Sequence, residues 1–275
     1  MMRNFVQSTA AACVAAGLIL AAAVAANAQN GTYGPPRAYD GHADLSGVWE
    51  AVNTANWDLE DHSAAAGTMW QTGAIASEPA GESVVEGGTI PYKPEALAKK
   101  KANFADRRTK DPEAKCYMPG IPRANYMPYP FQIVQTPRGI MFIYEFASAN
   151  RLVDMGKPEE APTDTWMGTN YGHWEGDTLV VDVTGLNGLA WLDRAGDYTS
   201  NRLHVVERFT RTDPYHLIYE ATIEDPSVYT RPWKIRMPLY RRVEKNAQIL
   251  EFKCVEFVEQ LLYGKYAKEP PQPAK

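Results

Sequence analysis

Metal-binding spacing is the first thing this sequence lacks. Its 275 residues include five histidines and three cysteines, and none falls in C-x-x-C, H-x-H or H-E-x-x-H order. Neither zinc nor another histidine-held metal is therefore expected. A phosphate loop, a G-x-S-x-G elbow and a dinucleotide fingerprint are missing too, so the sequence calls for no cofactor. Positive charge is also short. Lys and Arg number 28 against 33 Asp and Glu, the net charge is −5, and no basic stripe runs along the chain. Nucleic acid is excluded as a partner on that ground. The single long apolar run lies at the N-terminus, is rich in alanine and is too short for a comfortable span, so no stable membrane anchor is expected.

That run reads as an export signal over residues 1–28. Arg3 supplies the positive start, residues 10–26 the apolar region, and Ala26-Asn27-Ala28 a small-x-small cleavage site. The expected location is the periplasm or the exterior. Cys13 leaves with the signal, so Cys116 and Cys254 form an even pair behind an export signal and are expected to be bridged. Residues 29–42, rich in Gly and Pro, read as a flexible arm, residues 43–266 as one domain, and the tail 267–275 as disordered.

What the chain does contain is strand periodicity. In 170–184 the Gly176-Asp177 pair is a tight-turn signal, and residues on either side alternate with a period of two. Further strands are expected over 131–136, 140–146, 150–155, 202–212, 216–224, 231–241 and 249–258, with a first strand at Gly47-Val-Trp49. Strands at this spacing argue for an antiparallel meander, a barrel or a sandwich. A Gly-x-Trp opening is how lipocalin-like barrels begin, with the tryptophan closing the base. The expected fold is thus all-β: an antiparallel lipocalin-like barrel with minor helix and long N-terminal loops. One helix is expected at 93–106, with Pro94 in its first turn and Leu97 and Phe104 on its packing face. Lys99, Lys100 and Lys101 read as its solvated side.

Charges on apolar strand faces are the candidates for chemistry, because a buried charge must be paired or functional. Glu207 shares a face with Leu203, Val205 and Phe209; Glu145 shares one with Met141 and Ile143. His204 is the one histidine inside a confident strand, and histidine is the commonest acid–base residue. Strict alternation puts His204 and Glu207 on opposite faces, so a twist or bulge between them would be needed to bring both into one site. The proline-rich stretch 111–130 carries Tyr126 and Tyr129, flat amphipathic rings suited to lining an aromatic site.

Several segments together, Asp44-Leu-Ser-Gly-Val-Trp49, Pro119-Gly-Ile-Pro-Arg123, Pro128-Tyr-Pro-Phe-Gln-Ile-Val-Gln-Thr-Pro137, Trp174-Glu-Gly-Asp-Thr-Leu-Val-Val-Asp182, His204-Val-Val-Glu-Arg-Phe209 and Tyr229-Thr-Arg-Pro-Trp233, resemble a large family of secreted, mostly hypothetical bacterial proteins. Proteins similar to these include cofactor-independent decarboxylases of lignin-derived phenylcoumaran dimers. The resemblance implies an exported lyase acting on an aromatic acid, and it carries over no catalytic residue. On the chain's own residues, His204 with Glu207, Asp193 or Glu145 would move protons. Arg151 or Arg231 would fork onto a carboxylate, and Tyr126, Tyr129, Trp191 and Trp233 would stack on the rings. A lipocalin-like carrier of an apolar aromatic molecule is the alternative.

Overall fold

The structure, a computed structural model, describes residues 33–67 and 77–263. The expected signal and the C-terminal tail lie outside them. Nine strands close into a barrel in sequence order: β1 (Gly47–Glu50), β2 (Phe131–Thr136), β3 (Gly139–Tyr144), β4 (Asn150–Asp154), β5 (Thr169–Glu175), β6 (Thr178–Thr184), β7 (His204–Arg211), β8 (His216–Glu224) and β9 (Trp233–Arg241). β1 pairs with both β2 and β9 and so shuts the ring. Closure removes the free sheet edges except where β4 and β5 pair only briefly, and alternation sorts each strand into an inside and an outside. In β7, Val205, Glu207, Phe209 and Arg211 are buried while His204, Val206, Arg208 and Thr210 are not. The same rule turns Leu217, Tyr219, Ala221 and Ile223 of β8 inward.

The β5–β6 hairpin forms where the sequence calls for it, and Gly176 takes the positive φ of +60° that its turn requires. Trp49 is fully buried, donates its indole N–H to Leu45 O, and lies beneath Arg211 and Arg241, whose guanidiniums sit 5.9 Å from its ring. Large side chains fill the interior: Trp49, Phe131, Phe142, Phe209 and Tyr219 are all fully buried.

Four features depart from the sequence reading. The barrel is not wholly antiparallel, because β4 and β5 run parallel over only two residue pairs, Val153↔Asn170 and Asp154↔Tyr171. A long connection carries the chain back along the wall, so β5 re-enters in the direction of β4. Residues 249–257 form no strand. They run irregularly into a short helix α2 (Val258–Tyr263), and Cys254 is bridged to Cys116 across 138 residues of sequence. With the ring already closed by β1 and β9, this segment has no edge there to pair with.

The helix α1 (Pro94–Lys110) forms, but it docks by a different face. Leu97 and Phe104 are exposed, while Ala96 is buried and its carbonyl accepts the Tyr198 hydroxyl. Lys100 ion-pairs with Asp197 instead of facing solvent. The described part of the arm is also docked: Arg37 pairs with Asp177 at the β5–β6 turn, and His42 stacks on Trp174 at 4.8 Å.

Candidate functional site

Inside the barrel, Arg151 of β4 meets Glu207 of β7, Nη1 to Oε2 at 2.5 Å. Alternation explains both positions, since each is flanked in its strand by inward apolar residues. Glu207 accepts two further hydrogen bonds on Oε1, from Tyr219 Oη at 2.7 Å and Asn125 Nδ2 at 2.6 Å. Asn125 comes from the turn Arg123–Asn125, all three residues of which are buried, and its side-chain carbonyl accepts the Tyr144 hydroxyl at 2.8 Å. Arg151 Nη1 also donates to Asn170 Oδ1 at 2.8 Å, and Asn170 is held by Met167 O and Gly168 O. The Arg151 guanidinium lies 4.5 Å from the Phe142 ring centroid.

The electrostatics follow from burial and pairing. Burial pushes the Arg151 guanidinium down, but the Glu207 carboxylate and then Tyr144 more than reverse this, so it stays charged. Burial first, then the Glu207 charge, drives the Tyr219 phenol well up; burial likewise raises Tyr144. Both tyrosines are neutral donors. One group is left over: Arg151 is almost fully buried, yet its Nε and Nη2 atoms have no hydrogen-bond partner among the described residues. The Tyr144 hydroxyl, which donates to Asn125, lies close to the guanidinium.

Those donors belong to a residue that lines a cleft. Because β4 and β5 pair so briefly, Asn150, Arg151 and Leu152 have no strand partner on that side among the described residues. There a cleft of about 710 Å³ opens, lined by Arg151 with Met118, Leu152, Trp166, Met167 and Tyr171 among others. Trp166 stacks on Tyr117 at 5.2 Å, and the rim carries exposed Met118 and Leu152. Asp154 and Asp164 also line it. The arrangement offers a charged fork beside apolar and aromatic walls.

Of the residues singled out from sequence, Arg151 and Glu207 come together and the others do not join them. His204 sits on the outer face, bonded to Asp182 Oδ1 at 3.1 Å with Glu224 at 3.9 Å, because β7 alternates without a bulge. Glu145 accepts the backbone N–H of Leu250. Tyr126 is buried and donates to Leu192 O, and Trp191 and Trp233 are core residues, Trp233 edge-on to Tyr229. Arg231 is exposed and donates to Pro232 O. Tyr129 packs on Phe146 and Phe252, bordering a different cavity.

Asp193 belongs to a second buried group, with Asp58 and Asp197, whose oxygens lie within 4.8 Å of one another. Its carboxylate accepts the N–H groups of Leu59 and Asp197. Burial and then the neighbouring Asp197 charge drive Asp193 well above the usual carboxylate range. Three carboxylates could in principle hold a cation, but Lys100 Nζ already stands 3.4 Å from Asp197 Oδ2. Asn125, Tyr144, Asn170 and Tyr219 were missed from sequence. An inward tyrosine in a strand is indistinguishable from core until the carboxylate it serves is located. No known family, curated protein or solved structure matches the chain.

Proposed function

We propose that the protein is a cofactor-independent lyase that decarboxylates a phenolic aromatic acid bound in the β4–β5 cleft. The observation that carries this reading is the pair of unpartnered N–H donors on buried, charged Arg151, which lines a cleft walled by Trp166, Met167 and Met118. A guanidinium in such surroundings is built to meet a negative oxygen.

Chemistry decides which oxygen. Gripping the departing carboxylate would stabilise the ground state, whose charge is lost with CO₂, and would slow the step. A proton first adds to the carbon that bears the carboxyl group, delivered from solvent directly or through Asp154 or Asp164, and turns the phenolate into its quinone-methide form. The carbon–carboxyl bond then breaks, CO₂ leaves, and the electron pair flows back through the ring onto the phenolic oxygen, where Arg151 stabilises the growing charge. Glu207 keeps Arg151 charged and oriented, while Tyr219 and Asn125 fix Glu207.

Incubation of the purified chain with 4-hydroxyaryl carboxylic acids, followed by mass spectrometry, should show products lighter by carbon dioxide. The corresponding methyl ethers should bind and stay intact. Arg151→Met should lower turnover by about a hundredfold or more. Saturable binding without any product would instead leave a carrier of the same molecules, a reading favoured by the open, apolar rim of the cleft.

A further inference from the structure

A second cavity lies away from the cleft, between the turn Glu113–Lys115 and the C-terminal segment that carries Cys254. Its volume is about 350 Å³, within the usual range for small-molecule sites. Rings make one wall: Tyr129 lies 5.4 Å from Phe146 and 5.2 Å from Phe252, and those two phenylalanines are 5.0 Å apart. Trp57 adds a further ring to the lining. We propose that this cavity binds an uncharged, flat aromatic molecule bearing a hydrogen-bond acceptor, such as a ketone, which takes the Tyr129 hydroxyl.

The ions around the space are matched among themselves. Arg194 holds Glu113 at 2.8 and 2.5 Å, and Arg123 holds it at 2.6 Å. Burial raises Glu113, but Arg194 and Arg123 pull its carboxyl down to about 2, so it stays ionised and neutralised. Arg123 also holds Asp111 at 3.2 Å. Elsewhere in the lining, Arg107 stands 3.6 Å from Glu78 and Lys253 pairs with Glu251 at 2.9 Å. Arg108 is not without a partner either. A charged ligand of either sign would have to break one of these pairs or lie among them without a counter-ion, and each course leaves a charge uncompensated. A neutral molecule covers the rings and leaves every pair intact.

The ring wall also carries a polar group with nothing to bind. The Tyr129 hydroxyl makes no hydrogen bond among the described residues, although its ring is packed against two others. Burial and then the Glu113 charge raise this phenol above its ordinary value, against a smaller pull from Arg194, so it is a neutral O–H. Glu113 and Arg194 both line the cavity, which places the oxygen they act on at that side. Phe252 is fixed in turn, because its segment is tied down by the Cys116–Cys254 bridge and by the Phe257 N–H on Ala114 O at 2.9 Å. An aromatic wall set in advance, with a placed O–H, fixes both the plane and the orientation of a flat acceptor. The inference does not rest on the lyase reading, because none of the residues lining this cavity lines the β4–β5 cleft.

Prodan, a neutral naphthalene with a ketone whose emission reports hydrogen bonding to it, is the probe. Titrated into the oxidised full chain, it should bind saturably at one site, with an affinity that stays flat from about 0.05 to 0.5 M salt. Anilinonaphthalene sulfonate, similar in size but anionic, should bind more weakly by about tenfold or more. Tyr129→Phe keeps the ring and removes the O–H. It should weaken prodan by about threefold to tenfold and move its bound emission to the blue. Phe252→Ala should weaken it by about tenfold or more, and Tyr129→Phe keeps the test valid should Phe252→Ala unfold. Trp166→Ala reports on the other cleft and should leave prodan affinity as it was. Absence of saturable binding, tighter binding of the sulfonate, unchanged affinity in Tyr129→Phe, or loss of binding in Trp166→Ala would each overturn the proposal.

Discussion

Two of the places where the molecule buries charge handle it in opposite ways. In the barrel, Arg151 and Glu207 compensate each other, and every oxygen of the carboxylate is donated to. In the loops, Asp58, Asp193 and Asp197 crowd together with Lys100 as the cation beside them, and Asp193 is pushed well up by burial and by Asp197. The first group keeps a charge on hand; the second keeps a proton. Buried ions of opposite sign can both stay ionised, whereas like charges at close range cannot.

Breaking the barrel pair should have the largest effect. Glu207→Gln leaves a guanidinium buried without its counter-charge and should cost about 3–5 kcal/mol, measured by urea unfolding. A loss below about 1 kcal/mol would mean that the pair is not dry.

Arg151→Met tests the same pair from the other side. It leaves the buried Glu207 carboxylate without its cation and should likewise cost about 3–5 kcal/mol, measured by urea unfolding; a loss below about 1 kcal/mol would sink this account.

The aspartate group has a smaller lever. Asp193 is raised in the folded state, so stability falls as pH climbs from its unfolded value of about 3.9 toward the folded one. Asp197→Asn removes the like charge and should flatten that decline, sparing roughly 2–4 °C of midpoint between pH 5 and pH 8. The smallest effect is reserved for the outer wall. His204→Ala breaks a half-exposed pair with Asp182 and should shift stability by no more than about 1 kcal/mol, with turnover in the cleft unchanged.

Much of this was legible in the residues because alternation is a local signal. Leu203, Val205 and Phe209 announce that Glu207 points inward, and the hairpin at Gly176-Asp177 is set by its own turn. The same rule had already put His204 outside, and only a bulge could have reversed it. What could not be read depends on partners distant in sequence. Residues 249–257 have strand-like residues, but whether they pair is decided by β1 reaching β9. Trp166 and Met118 matter because β4 and β5 run parallel, and nothing within either strand dictates its direction. Asn125 reaches Glu207 across 82 positions, from a turn whose prolines signalled irregular backbone and no more.

The Cys116–Cys254 bridge brackets β2 through β9, so eight of the nine strands lie inside one covalent ring. Proteolytic cuts fall in loops. A single cut between β4 and β5, or between β6 and β7, would open the ring without dividing the molecule. The nicked chain should migrate as one species on a denaturing gel until a thiol reductant separates it into two. Damage to a loop would thus be survivable, because the pieces stay at the effective concentration of a single chain.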